Sequence, residues 1–350
     1  MSKIKTFLSI ALFLFTLPCF GNTQPVIHQT PETLRIGMLK LMSGGVVQLA
    51  KKEGFFQEQG INIKILSFDS AQQVARAVAS GDVDIGLTGL TAAVYNLAAK
   101  GKLKIIAGSS REVRGWKGSA YVVSNKEWNA GIRKPEQLQD VSMGVTDIGS
   151  TFHYIAGLLA DKYHFSLEKK IKLVPLGSVK AMRTAIAKSQ VDSVIIPGMV
   201  ARELQNKNEG HILGYVGDET PWQVTAVFAS SKLLDHKRKG VEKFLTGFRK
   251  GCSLYHLLFN TSSPAIYSTE RLLAQAPMRN QAATIIGHYV RPKLTPVAVS
   301  SFPIYIDAQG GIDLNSLKHQ IHWYQSHNMV DQHITVNQVV DQPLLVPLSQ

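Results

Sequence analysis

Leu34-Arg35-Ile36-Gly37-Met38 and, 107 residues further on, Val141-Ser142-Met143-Gly144-Val145 decide the fold. Each is a short apolar strand that leads into a turn of small residues, Ser43-Gly44-Gly45 after the first and Gly149-Ser150-Thr151 after the second. Each turn then opens an apolar helix. With the chain laid over itself at an offset of 107 to 108 residues, the register continues. Ile61-Asn62-Ile63-Lys64-Ile65 falls near Lys170-Ile171-Lys172-Leu173-Val174, both alternating second strands. Gln72 to Ala79 falls near Lys180 to Ala187, both small aliphatic helices, and Val83-Asp84 falls on Val191-Asp192, each starting a third strand. Each half reads β-α-β-α-β. Any two α/β segments share one element by chance. Agreement over three strands and two helices predicts two similar lobes, each a mostly parallel sheet with crossover helices on its faces. Ligands of such sheets sit beyond the carboxyl ends of the strands, where these turns lie.

Outward from the repeat, two crossings between lobes are expected. One is the loop Gly108 to Gly118, after the strand Leu103 to Ala107; the other is at Pro221-Trp222, before the strand Val224 to Ala229. This predicts one lobe from residues 33–118 and 225–350 and a second from 119–224. The last hundred residues read as mainly helical. In Asp313 to Asn328 the residues Leu314, Leu317, Ile321 and Tyr324 recur at helical spacing, as a core-facing stripe does.

Residues 1–21 read as an export signal. Lys3 and Lys5 precede an apolar run from Phe7 to Leu17 that is too short to span a bilayer, and Cys19 and Gly21 stand at −3 and −1 of a cleavage site before Asn22. Lipidation of Cys19 is the alternative, disfavoured by Pro18 and Thr16. Cleavage leaves Cys252 alone, so no internal disulfide can form and stability rests on packing. The remainder is long enough for two units and has no stretch fit for a transmembrane helix. The chain carries 38 basic and 25 acidic residues, a formal charge of +13 that becomes +11 without Lys3 and Lys5. The basic residues are scattered, with no arginine-rich run and no interleaved aromatic and basic motif, which argues against a nucleic-acid partner. The surplus favours anionic neighbours, such as an acidic ligand or membrane surface.

The order of an export signal, Leu34-Arg35-Ile36-Gly37, Lys52-Glu53-Gly54-Phe55-Phe56, Gly81-Asp82-Val83-Asp84-Ile85-Gly86 and Phe228-Ala229-Ser230 resembles the solute-binding proteins of ABC importers. Within them it is similar to the NMT1 or SsuA-like group, whose members bind aliphatic sulfonates, taurine, nitrate and pyrimidine precursors. The resemblance covers nearly the whole chain after the signal. It implies the type II periplasmic-binding-protein fold, a monomer in the periplasm, hinge closure over a small organic molecule and delivery to an ABC permease, without a cofactor. The group's usual ligand contacts map onto Ser43 and Gly44, Thr88 and Gly89, and Ser150 and Thr151. A helix start offers unpaired backbone N–H groups and a positive dipole end, and hydroxyls add donors, so anionic or carbonyl groups suit such a pocket. Plain helix capping is the competing role for Ser43, Ser150 and Thr151. Trp116 and Trp222 flank the crossings and can either wall a cleft or pack a hinge. Lys40 and Arg111 can neutralise an acidic ligand or stand solvated at the surface.

Enzyme signatures are missing: no Gly-x-Ser-x-Gly elbow, no His-Glu-x-x-His zinc helix and no phosphate loop. His319 and His322 share a helix face but lack a patterned third ligand, so no metal site is expected. Fungal relatives of the same fold make a thiamine pyrimidine precursor with a cysteine-rich iron site, and this sequence lacks that cluster. Two readings other than import stay open: a ligand-sensing module for a membrane partner, and an enzyme of the precursor-forming kind.

Overall fold

A computed structural model describes residues 31–261 and 269–348 of the chain, so the expected signal at 1–21 lies outside the described residues. The first half of the repeat builds β1 (Glu32–Met38), α1 (Gly45–Lys52), β2 (Ile61–Ser67), α2 (Ala71–Ser80), β3 (Ile85–Gly89), α3 (Ala92–Ala99) and β4 (Leu103–Gly108). After a short hinge strand β5 (Ser110–Glu112), the second half builds β6 (Ser119–Val123), β7 (Val141–Val145), α4 (Thr151–Lys162), β8 (Ile171–Pro175), α5 (Val179–Ala187), β9 (Ser193–Pro197), α6 (Gly198–Asn206) and β10 (His211–Tyr215). A second hinge strand, β11 (Trp222–Gln223), returns the chain to β12 (Thr225–Ser230), and the remainder is mainly helical: α7 (Ser231–Tyr255), α8 (Thr269–Tyr289), then β13 (Tyr305–Ile306) and α9 (Leu314–Ser326).

Local chemistry explains these boundaries. Ser70, Thr91, Ser150, Ser178, Ser230 and Asp313 each accept a hydrogen bond from the third amide of the helix that follows, satisfying a donor that the first turn leaves unpaired. Gly81 ends α2 in the left-handed region, φ 84°, where a side chain would be strained. The edge strand β2 alternates buried Ile61 and Ile63 with exposed Asn62 and Lys64, whereas the central β3 and β12 are buried throughout.

The two main sheets share one topology. The first has the order β2-β1-β3-β12-β4 and the second, read in the same sense, β8-β7-β9-β6-β10. In each, four strands point one way, while β12 and β6 run antiparallel to both neighbours. The reversal follows from the crossings. A strand that enters a sheet from the hinge must run away from it, and the other strands aim their carboxyl ends towards it. The repeat extends to single hydrogen bonds: Asp84 Oδ2 accepts from the Arg35 amide at 2.8 Å, and Asp192 Oδ2 accepts from the Ser142 amide at 2.9 Å. Both aspartates precede the third strand, which therefore starts at Ile85 and Ser193, two residues later than the apolar pattern suggests.

The expected loop 108–118 contains a strand. β5 pairs with β11 on one side and β13 on the other, so the crossings lie side by side as a three-stranded antiparallel ribbon. The strand expected from Val224 runs from Thr225 to Ser230. In α9, Leu317, Ile321 and Tyr324 are buried as expected, and Leu314 is half-buried. That helix packs against α3 of the first sheet's layer and against α4 of the second. Gly157 of α4 makes room for it: a Cβ there would stand 2.1 Å from the Trp323 ring.

Candidate functional site

Both sheets aim their carboxyl ends at one cavity of about 100 Å³. Thr88 and Gly89 at the end of β3, with Met42 and Ser43 before α1, form one wall. Thr146 after β7, Thr151 and Phe152 at the start of α4, and Pro197 and Met199 at the β9–α6 junction form the other. The hinge closes the back through Ser110, Arg111, Glu112, Lys117 and Ser119, and Phe302 adds an aromatic side. Leu39, Leu41 and Val179 are shared with a wider outer chamber of about 680 Å³, whose rim carries Lys40, Lys180, Arg183 and Arg291 against Asp69 and Glu203.

The lobes touch across the rim. The Ala92 amide donates to the Gly149 carbonyl at 3.0 Å, and Gln72 Nε2 donates to the Ile148 carbonyl at 3.1 Å. Gly149 has φ 77°, a conformation that glycine adopts without strain. Gly89 faces Thr151 so closely that a Cβ would stand 2.5 Å from its methyl group.

Among the sequence-derived candidates, Ser43, Thr88, Gly89, Thr151 and Arg111 line the inner cavity. The hydroxyls of Ser43, Thr88, Thr146 and Thr151 bond to no group among the described residues, so four donors or acceptors from two walls are available to a ligand. Gly44, Ser150 and Trp222 do not line it. Gly44 sits against Tyr289, whose ring would be 2.7 Å from an added Cβ. Ser150 is spent on capping α4, its Oγ accepting from the His153 amide at 3.3 Å. Trp222 is buried with its ring 4.9 Å from that of Tyr154, so it packs the hinge. Trp116 likewise packs on Tyr305 at 5.8 Å. Arg111 is not a free cation, because its guanidinium pairs with Asp313 at 3.0 Å. Lys40 reaches only the outer chamber. His319 hydrogen-bonds the Tyr154 hydroxyl at 2.7 Å while His322 is exposed, and no group of three or more metal-ligating side chains occurs among the described residues.

Glu112 is the residue that sequence reading missed. It is 1% exposed, and burial pushes its carboxyl up to about 7; nearby Asp218 adds to the rise, and Ser119 and the Gly217 amide offset part of it. Its Oε2 has no hydrogen-bond partner at ordinary distance. An acid in a stretch that reads as a loop carries no signal of burial. His153, also buried, is pushed down to about 4 by the same cost of burying charge, with nearby His327 adding to it, so it is neutral and its Nδ1 accepts from the Gly149 amide at 3.0 Å.

A profile of the NMT1/THI5-like family matches residues 45–256, more than half of the chain. The chain belongs to the NMT1/THI5-like family. No curated protein matches this family member in sequence. Its fold is that of solved binding proteins. The alkanesulfonate-binding protein SsuA of Xanthomonas axonopodis pv. citri, bound to MOPS, superposes with a TM-score of 0.68 at 16% identity, covering 91% of this chain and 99% of that one. The nitrate-binding protein NrtA of Synechocystis PCC 6803 gives 0.67 at 13% identity, covering 89% and 86%. A ligand-binding component of an ABC-type import system from Staphylococcus aureus, with zinc bound, gives 0.67 at 13% identity, covering 89% and 97%. This NMT1/THI5-like chain thus has the two-sheet type II periplasmic-binding-protein architecture.

Proposed function

We propose that the protein is the solute-binding component of an ABC importer, exported to the periplasm, where it holds a small organic molecule between its lobes and hands it to a membrane permease. The observation that carries this reading is the cavity at the carboxyl ends of both sheets, with unengaged hydroxyls from each side and a hinge of paired strands behind it. Opening that hinge exposes the cavity, and ligand shifts the equilibrium by its preference for the closed form. The inner cavity takes one small polar group, and the outer chamber has room for the body of the molecule, within the usual size of ligand sites. In this reading the lobes divide at the hinge strands, with 33–118 and 225–350 in one and 119–224 in the other. No step of chemistry is needed. The family and the binding-protein neighbours support the assignment.

The test is a thermal-shift screen of the purified protein against a metabolite library. A ligand at about a hundred times its Kd adds about 2.7 kcal/mol, a shift of several degrees. Thr151→Leu and Thr88→Leu fill the cavity and are expected to remove that shift while the circular dichroism spectrum stays native. Unchanged ligand affinity in both variants would place the site elsewhere.

A further inference from the structure

Charge matching inside the inner cavity distinguishes one end of the ligand. Two cations and one carboxylate line it: Arg111, Lys117 and Glu112. Arg111 is matched by Asp313 at 3.0 Å, although its Nε is left without a partner, and the Lys117 ammonium lies 4.6 Å above the Phe302 ring, which satisfies part of its charge. Glu112 has no ion pair among the described residues. Its carboxylate lies against Gly118, another lining residue, so close that a Cβ on Gly118 would stand 2.4 Å from Oε2. Glycine at 118 thus leaves room for the carboxylate beside a residue that lines the cavity. Ser119 and the Gly217 amide ease the burial of the carboxyl, but Oε2 itself has no partner at ordinary hydrogen-bond distance, and such an atom is explained where a ligand supplies the missing donor.

We infer that the solute enters with an N–H donor, an amine, amidine or amide, against Glu112 at the hinge end of the cavity; this rests on the solute-binding reading above. The anionic oxygen of a sulfonate or of nitrate would meet an acceptor there. A ligand N–H instead completes a charge-assisted hydrogen bond away from water. Because Glu112 belongs to β5, paired with β11, its occupation also ties the ligand to the strands that must bend when the lobes part.

The experiment screens wild type and Glu112→Gln by thermal shift at pH 7.5, with isothermal titration of each hit, against amines, amidines, amides, carboxylates, sulfonates and nitrate. Hits are expected among N–H compounds, and Glu112→Gln is expected to weaken them at least tenfold while its circular dichroism stays native. Hits confined to compounds without N–H overturn the inference and leave the binding-protein reading standing. N–H hits whose affinity is unchanged in Glu112→Gln overturn it as well. Silence of wild type across every class overturns both. Should Glu112→Gln fail to fold, the chemical class of the wild-type hits decides alone.

Discussion

Glu112 and Thr88 show how much a single residue's role depends on its surroundings. Both are buried beside the cavity, but the hydroxyl of Thr88 is spare there, whereas the carboxyl of Glu112 is held out of water with its Oε2 unpartnered. The folded Glu112 carboxyl is raised from 4.5 to about 7. A group raised by folding contributes stability that is complete below the unfolded value and is lost as pH climbs through the folded one. Relative to Glu112→Gln, ligand-free wild type should therefore lose about 2–3 kcal/mol between pH 5 and pH 8.5, read from urea unfolding of both proteins at each pH. A constant difference between them would mean that the carboxyl ionises as freely folded as unfolded. Ser150 and Trp222 teach the opposite lesson. A serine at a helix start and a tryptophan at a crossing have two uses each, capping or contact and packing or stacking, and here the hydrogen bond to His153 and the ring of Tyr154 take them.

At the scale of elements, packing of α9 on α4 is the contact that sequence spacing could not reveal, since the stripe Leu317, Ile321 and Tyr324 shows only that the helix has a buried face. Gly157 is what lets Trp323 in, the added Cβ falling 2.1 Å from the ring. Gly157→Leu should cost about 3 kcal/mol or more, because neither the buried indole nor the helix backbone can yield without strain; a denaturant midpoint equal to that of wild type would show that α9 is not docked there. Gly86 plays the same part within the first sheet, where Phe228 of β12 lies 2.4 Å from a would-be Cβ. The strands and helices of the repeat were legible because each has its own period and cap. β5 and β11 were not, being too short for a period to register, and they exist because the chain crosses twice at one place and satisfies its backbone by pairing with itself.

For the whole molecule, closure is the property that the proposed function requires. Gly89 and Thr151 meet across the cleft, so Gly89→Val should hold the lobes apart. Ligand affinity is expected to fall at least tenfold, and small-angle scattering with ligand present should keep the larger radius of gyration of the open form; a wild-type contraction in the variant would refute the role of this contact. Intact-mass spectrometry of protein exported by its own signal is expected to find a chain beginning near Asn22 without lipid, and a diacylglycerol-sized increment on Cys19 would assign it to the lipoproteins instead. By itself, the sequence pointed to two equivalent β-α-β-α-β units, each of which builds a sheet of the same topology, and it placed the small-residue turns after their first strands. These are consequences of local periodicity, capping and repetition, which survive in a linear string. Only the tertiary structure decided which of those turn residues are spent on the fold, that the crossings form a ribbon, and that a buried carboxylate stands at the back of the cavity. Burial, pairing and charge matching are properties of neighbours brought together from distant positions, and no spacing along the chain records them.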